Sequence, residues 1–229
     1  MTDVQTTPVV TTLIIGAGFA GLGTAIRLQQ EGIDDMVILE RDKQVGGTWR
    51  DNQYPGAACD IPSNLYSYSF APNPDWSRSF SGAREILGYI HHLVNQFDLA
   101  RYIRFGTNVT GLNWDQDRGA WEATTEGGET YHAKTVVMAQ GPLSNPGFPN
   151  IAGIENFKGK KIHSAQWDHS YNLEGKRVGV IGTGASAIQI VPSIVGKVDK
   201  LTVFQRTPPR VMPRPDFETP GWQKLAFRK

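Results

Sequence analysis

Leu13–Gly21, LIIGAGFAG, is the stretch whose reading decides the fold. It closes a β-rich, nearly all-apolar run that begins at Val9, the pattern of a central parallel strand buried on both faces. The strand runs directly into Gly16, Gly18 and Gly21, a G-x-G-x-x-G turn with Phe19 and Ala20 between its last two glycines. Leu22, Ala25, Ile26 and Leu28 then recur at near-helical spacing until Glu31 and Gly32, a helix end with a glycine cap. Met36–Glu40, MVILE, supplies a second strand, which completes a βαβ unit. Each glycine has a physical reason: one for the tight turn, one for close approach of backbone to a pyrophosphate, one for packing of helix on strand. The helix N-terminus faces the phosphate charge. Glu40 ends the second strand where a carboxylate can accept from ribose hydroxyls.

The same grammar returns further along. VGVI is followed by Gly182, Thr183, Gly184, Ala185, Ser186 and Ala187, a G-x-G-x-x-A turn, then a helix to about Val195 and the strand LTVFQR. In both units the residue 24 positions beyond the first glycine is charged, but Glu40 in the first unit is matched by Arg206 in the second. A carboxylate there repels a ribose 2′-phosphate, whereas a guanidinium can grip one bidentately. The reading is therefore a 2′-hydroxyl nucleotide in the first site and NADP in the second, with Thr207 adding a hydroxyl contact. A solvated surface arginine and threonine is the alternative. Two dinucleotide sites in one chain imply electron traffic between two cofactors, and FAD is the expected occupant of the first. The expected fold class is α/β, with two Rossmann-like (doubly wound, three-layer) dinucleotide-binding domains, a small antiparallel β-meander inserted in the first, and the second incomplete.

Composition bounds what else the chain can be. It has 229 residues, 39% hydrophobic and 20% charged, which is the profile of a globular protein with one or two cores. A net charge of +1 offers no sequence-wide field for nucleic acid or an anionic membrane. Cys59 is the only cysteine, which excludes an internal disulfide and a cysteine-rich zinc cluster and fits a reducing compartment. The start lacks the basic-then-apolar order of a secretory signal, and no run reaches the roughly 20 apolar residues of a membrane span. The expectation is a cytoplasmic protein with no nucleic-acid or membrane partner and no metal site.

Between the two glycine turns lie several further segments. Residues 46–75 are rich in Gly, Pro, Asn and aromatics without periodicity, a long loop of the kind that is usually functional. Ala83–Phe97 reads as an amphipathic helix, and VTGLNW, WEATT and ETY as a small antiparallel meander, after which TVVMA returns to the parallel sheet. GPLSNPGFPNIAGI is the best boundary. The expected domains are 1–147 (the N-terminal part of an FAD-binding domain), 148–175 (linker), 176–215 (first βαβ unit of an NADP-binding domain) and 216–229 (the start of a helical insertion).

Two longer patterns narrow the chemistry. FKGKKIHSAQWD fits F-x-G-x-x-x-H-x-x-x-W-(P/D) at Phe157, Gly159, His163, Trp167 and Asp168, and GGTWRDNQYPGAACD fits (A/G)-G-x-W-x-x-x-x-(F/Y)-P-(G/M)-x-x-x-D at Gly46, Gly47, Trp49, Tyr54, Pro55, Gly56 and Asp60. With average residue usage the shorter pattern arises by chance at below about one in a million per start site. The chain thereby resembles the type I Baeyer–Villiger monooxygenases over essentially its whole length and in the family's order. A looser form of the shorter signature occurs in flavin-containing monooxygenases.

The resemblance implies an NADPH- and O2-dependent flavoprotein that inserts oxygen next to the carbonyl of a small-molecule ketone, by way of a peroxyflavin. It also implies that this chain is an N-terminal portion with little activity alone and a downstream C-terminal half as partner. Asp60 matches the family's aspartate that holds an active-site arginine, and that arginine lies outside this chain; a turn-capping aspartate is the alternative. His163 is implied to couple nicotinamide binding to domain motion, with a structural histidine equally open, and Gly159 to let the linker turn. Gly47, Thr48 and Trp49 match positions beside the flavin. The full FAD set is Gly16, Gly18, Phe19, Ala20, Gly21, Glu40, Gly47, Thr48, Trp49, Asp60 and Val109; the NADP set is Gly182, Thr183, Gly184, Ala185, Ser186, Ala187, Arg206 and Thr207. Oxidation of N or S centres, and a non-catalytic nucleotide-binding half, remain open. Trp49, Tyr54, Tyr66, Tyr68 and Trp76 read as an aromatic core under the long loop, or as a lining for flavin and substrate. His91, His92, His132 and His169 read as surface or capping residues.

Overall fold

The computed structural model of the chain describes residues 8–143 and 145–228. In chain order its elements are β1 (Val9–Ile15), α1 (Phe19–Gln30), β2 (Met36–Leu39), α2 (Thr48–Asp51), α3 (Ala83–Gln96), β3 (Ile103–Arg104), β4 (Val109–Asp115), β5 (Ala120–Thr125), β6 (Thr130–Met138), β7 (Arg177–Ile181), α4 (Ala185–Ile194), β8 (Lys200–Phe204) and α5 (Gly221–Phe227). Short 3₁₀ turns join several of them. The fold is mixed α/β. Its described residues separate into two compact units, residues 8–48 with 88–143 and residues 49–87 with 145–228.

The first unit is built on one six-stranded sheet in the order β3-β2-β1-β6-β5-β4. β1 pairs in parallel with β2 and β6, and β2 with β3, whereas β4, β5 and β6 run antiparallel. The apolar run of β1 explains its central place: Leu13 and Ile14 are fully buried, as are Leu22 and Ile26 on α1 and Ile38 on β2. Each such side chain contributes roughly 1.5–3 kcal/mol by leaving water. α1 starts on Gly18 in extended conformation and stops where Gly32 takes φ +79°, as the sequence spacing expects. The meander and the parallel sheet were expected as separate strands, ETY and TVVMA. They are instead one nine-residue strand, β6, whose first half pairs with β5 and which also runs along β1 from His132 to Met138. Its length lets one strand serve both neighbours, so the meander extends the sheet and does not interrupt it.

In the second unit β7 and β8 pair in parallel, and α4 packs beside them. The core joins Tyr54, Ile190 and Ile194 to the partly buried Trp167, Val178 and Leu201. Residues 77–80 lie against 215–219 through Ser79 N–H to Phe217 O at 2.9 Å and Thr219 N–H to Ser77 O at 2.9 Å. Arg78 Nε meets Asp216 Oδ2 at 2.8 Å on the same seam. Burial pushes the Asp216 carboxyl up, but the Arg78 hydrogen bond and charge outweigh it and hold the group below its ordinary value. The long loop has more order than its sequence suggests, with α2, a 3₁₀ turn at Ser63–Leu65 and an antiparallel bridge between Ala58 and Gly82. Among the described residues no helix is long and apolar enough to cross a membrane.

Candidate functional site

In the first unit the glycine turn is held from three sides. Gly16 takes φ +108° and donates its N–H to Leu39 O at 2.8 Å, which ties the end of β1 to the end of β2. A Cβ on Gly21 would stand 1.9 Å from Gly16 O, so helix and turn approach as closely as the motif requires. Glu40 is buried, with one carboxylate oxygen accepting from Ala17 N–H at 2.8 Å and the other from Asp42 N–H at 3.0 Å. Its carboxylate therefore braces the turn itself. Gly46 N–H reaches Ala17 O at 3.0 Å, and a Cβ on Gly47 would stand 3.4 Å from Gly18 Cα, so the start of the long signature lies against the glycine turn. Phe19 tilts against Tyr89 with ring centroids 6.1 Å apart, and Ala20 and Thr48 are exposed. Val109 opens β4 and packs on the sheet core.

In the second unit the turn has the same backbone. Gly182 takes φ +103° and donates to Phe204 O at 2.9 Å, and Gly184 in extended conformation precedes α4. Ala185, Ser186 and Ala187 form the first turn of α4, and Thr183 lies in the loop before it. A Cβ on either Gly182 or Gly184 would meet nothing within 4 Å, which leaves open space in front of the helix N-terminus. Arg206 and Thr207 follow β8, exposed, and among the described residues Arg206 makes no ion pair.

The short signature, and the long one from Trp49 onward, pack in this unit. Trp49 is nine-tenths buried and donates from Nε1 to Tyr66 Oη at 3.1 Å. Burial pushes the Tyr66 phenol up, against the lowering effect of that bond. Tyr54 and Trp76 are buried too, so these three aromatics pack as core under the long loop. Asp60 is exposed. The turn after it is not capped by its carboxylate, because Ile61 N–H goes to Cys59 Sγ at 3.4 Å. Arg214 Nη1 donates to Cys59 O at 3.2 Å. His163 accepts from Ala165 N–H through Nδ1 at 3.1 Å and sets its ring edge-on to Phe148. Asp168 binds Lys160 Nζ at 2.6 Å and Ser170, and these bonds pull its carboxyl down to about 2.

Gly159 lies at a bend of the backbone without a positive φ, and a Cβ there would meet the end of the exposed Phe157 ring at 2.5 Å. One expectation needs correction. His132 is not at the surface: it is 5% exposed on β6, with Nε2 between Arg118 Nη1 at 3.0 Å and Glu122 Oε2 at 3.2 Å. Among the described residues no group of His, Cys, Asp and Glu could hold a metal ion. A cavity of 230 Å³ lies between residues 62–80 and 215–227, walled by Trp76, Phe80, Phe217 and Phe227; Trp76 is the one residue of the aromatic set that lines it, and none of the expected nucleotide-site residues does. The sequence reading missed Gln189 on α4, Arg214 and Asp216. Gln189 carried a signal, as the one long polar side chain in the otherwise small and apolar run ASAIQIVPSI.

Twin dinucleotide-type turns joined by two complete signatures define a nucleotide-dependent redox class. A family model described as pyridine nucleotide-disulphide oxidoreductase matches residues 13–219, and the chain belongs to that family. Within it, the chain is similar to a Baeyer–Villiger monooxygenase of Streptomyces coelicolor, at 56% identity over 94% of this chain and 41% of that protein. It is also similar to the crystal structure of cyclohexanone monooxygenase from Rhodococcus sp. Phi1 bound to NADP+, with TM-score 0.89 and 40% identity over 97% of this chain and 43% of that one. The OTEMO complex with FAD and NADP matches with TM-score 0.90 and 33% identity, over 97% of this chain and 44% of that one. The chain thus spans about two fifths of the length of these relatives.

Proposed function

We propose that this chain carries the FAD- and NADPH-binding portion of a Baeyer–Villiger monooxygenase, which converts ketones to esters or lactones with O2. Its two glycine turns then belong to two Rossmann-like dinucleotide-binding domains: an FAD-binding part to about residue 147, a linker over 148–175 and the first βαβ unit of an NADP-binding part over 176–215. This is a partition by ligand, and the packing units differ from it in joining residues 49–87 to the second unit. The observation that carries the reading is the convergence of both signatures on α4, where Tyr54 and Trp167 share one core with Ile190 and Ile194 directly behind the second glycine turn.

The residues present fit both groups. Gly18 and Gly47 approach to within van der Waals contact of an added Cβ, so neither places a side chain over the N-terminus of α1, where a pyrophosphate would lie. Glu40 would accept from the ribose hydroxyls as well as from Ala17 and Asp42. The open N-terminus of α4 would take the NADP pyrophosphate, and the exposed Arg206 its 2′-phosphate with Thr207 beside it. A bound flavin supplies the redox and oxygen chemistry. The protein's part is to orient the nucleotides and to place charge. Asp60 offers an exposed carboxylate to an arginine from outside this chain, in a second half of the protein, and His163 stiffens the 3₁₀ turn between the two glycine turns.

The test is incubation of the chain, alone and together with the remaining portion its relatives possess, with FAD, NADPH, O2 and a panel of ketones, amines and sulfides, followed by mass detection. Ester or lactone carrying one added oxygen is the expected product of the complete pair. N- or S-oxides without any ester would turn the reading to a heteroatom monooxygenase, and failure to bind flavin would remove both.

A further inference from the structure

We propose that Gln189 is a positioning residue that couples nucleotide occupancy at the second glycine turn to the Cys59–Asp60 segment of the long signature. The inference rests on the NADP reading of that turn. Gln189 sits one helical turn beyond Ala185, the first residue of α4. Its amide reads the main chain of Ala58 from both sides: Ala58 N–H donates to Gln189 Oε1 at 3.3 Å, and Gln189 Nε2 donates to Ala58 O at 2.8 Å. The buried Tyr54 adds its hydroxyl to the same Oε1 at 2.9 Å. Ala58 has no other main-chain hydrogen bond among the described residues, because the flanking bonds of this bridge belong to Ala57 and Cys59. The side chain therefore acts as a missing strand partner would.

The loop presses on α4 so closely that a Cβ on Gly56, which takes φ +82°, would stand 2.2 Å from Ser193 Oγ and 2.6 Å from Gln189 O. A helix gripped at its N-terminus by a phosphate can thus pass a change of position or rigidity to Ala58, two residues before Asp60. Packed contacts of this kind have discrete arrangements and do not stretch continuously. By linkage, ordering of the Asp60 segment would in turn tighten NADP binding by the same factor.

The experiment follows main-chain amide exchange and ¹H–¹⁵N shifts at residues 57–60 of the whole chain, with and without NADP+ at saturation measured by calorimetry. In the native chain NADP+ is expected to slow exchange at Ala58 and Cys59 by about fivefold or more. In Gln189→Met, of similar volume but without the amide, NADP+ should still bind within about threefold while the response at 58–60 disappears. Gln189→Glu keeps the acceptor for Tyr54 and Ala58 N–H but loses the donor, and should restore part of the response. Tyr54→Phe, which removes a single bond, supplies the comparison if Gln189→Met does not fold. An equal NADP+ response in native and Met chains, or none in the native chain despite binding, would overturn the proposal. A flat calorimetric titration would instead overturn the NADP reading and the coupling with it. The two failures separate cleanly, because faster Ala58 exchange in ligand-free Gln189→Met would still show the clamp at work.

Discussion

The two glycine turns share a backbone and differ in what surrounds it. Gly16 and Gly182 take φ +108° and +103°, and each donates to the last carbonyl of the neighbouring strand, at 2.8 and 2.9 Å. Yet a Cβ on Gly16 would strike Ala139 O at 2.6 Å, and the same atom on Gly182 would meet nothing. The cause is topological. β1 has strands on both sides, with Ala139, just beyond β6, donating its N–H to Ile15 O at 2.9 Å, whereas among the described residues β7 has one neighbour, β8. The charges at the strand ends differ in the same sense: Glu40 is buried and engaged by backbone, and Arg206 is exposed and without an ion pair among the described residues. Local sequence makes the turn, and packing decides how much change it tolerates.

Substitutions can break that contrast. The largest effect is expected from Gly21→Ala, where the added methyl overlaps Gly16 O at 1.9 Å; the loss should be about 3 kcal/mol, read as a fall in thermal midpoint by circular dichroism. The second turn already carries alanine at the equivalent Ala187, so the reverse change there should move the midpoint little. A shift for Gly21→Ala no larger than for Ala187→Gly would erase the distinction drawn here. Next comes Arg206→Ala, expected to weaken NADP+ binding by roughly tenfold to a hundredfold while leaving NAD+ unchanged. Equal losses for both nucleotides, measured by calorimetry, would remove the 2′-phosphate assignment.

Acid probes the second region. Lys160 and Ser170 hold the Asp168 carboxyl at about 2, below its ordinary 3.8. A depressed acid stabilises the fold fully above the unfolded value and loses that contribution as pH falls through the folded one. The pair should therefore persist at pH 4 and dissolve towards pH 2, and Lys160→Ala should move the Asp168 midpoint in a ¹³C carboxyl titration back towards 3.8. The smallest stability change is expected for Gly184→Ala, whose Cβ enters empty space at an ordinary extended φ of −72°. Stability should change by less than about 0.5 kcal/mol. Nucleotide binding should nonetheless weaken, because the methyl occupies the space in front of α4.

Residues 9–15, the two glycine turns, and the helices that follow them were readable because their conformations are set by neighbours a few positions away. A nearly continuous apolar run, a positive φ that only glycine adopts freely, and a helix start after a glycine are all local. The signatures were readable as patterns for a different reason, since their residues serve packing that a single sequence does not display. Gln189 and Ala58 are 131 positions apart, and Arg78 and Asp216 are 138 apart. No local propensity encodes such a pair, and His132 looked like a surface residue until β5 and the turn holding Arg118 closed over it.

What the sequence by itself determined is the backbone grammar of two nucleotide turns and the opposite charges that end them, because short-range sterics and electrostatics suffice for both. Only the tertiary structure decided that β6 serves two sheet neighbours at once, that the first turn is walled in while the second stays open, and that both signatures rest on α4. Those outcomes depend on which distant surfaces exclude water together, and that is a property of the folded chain and not of any stretch of it.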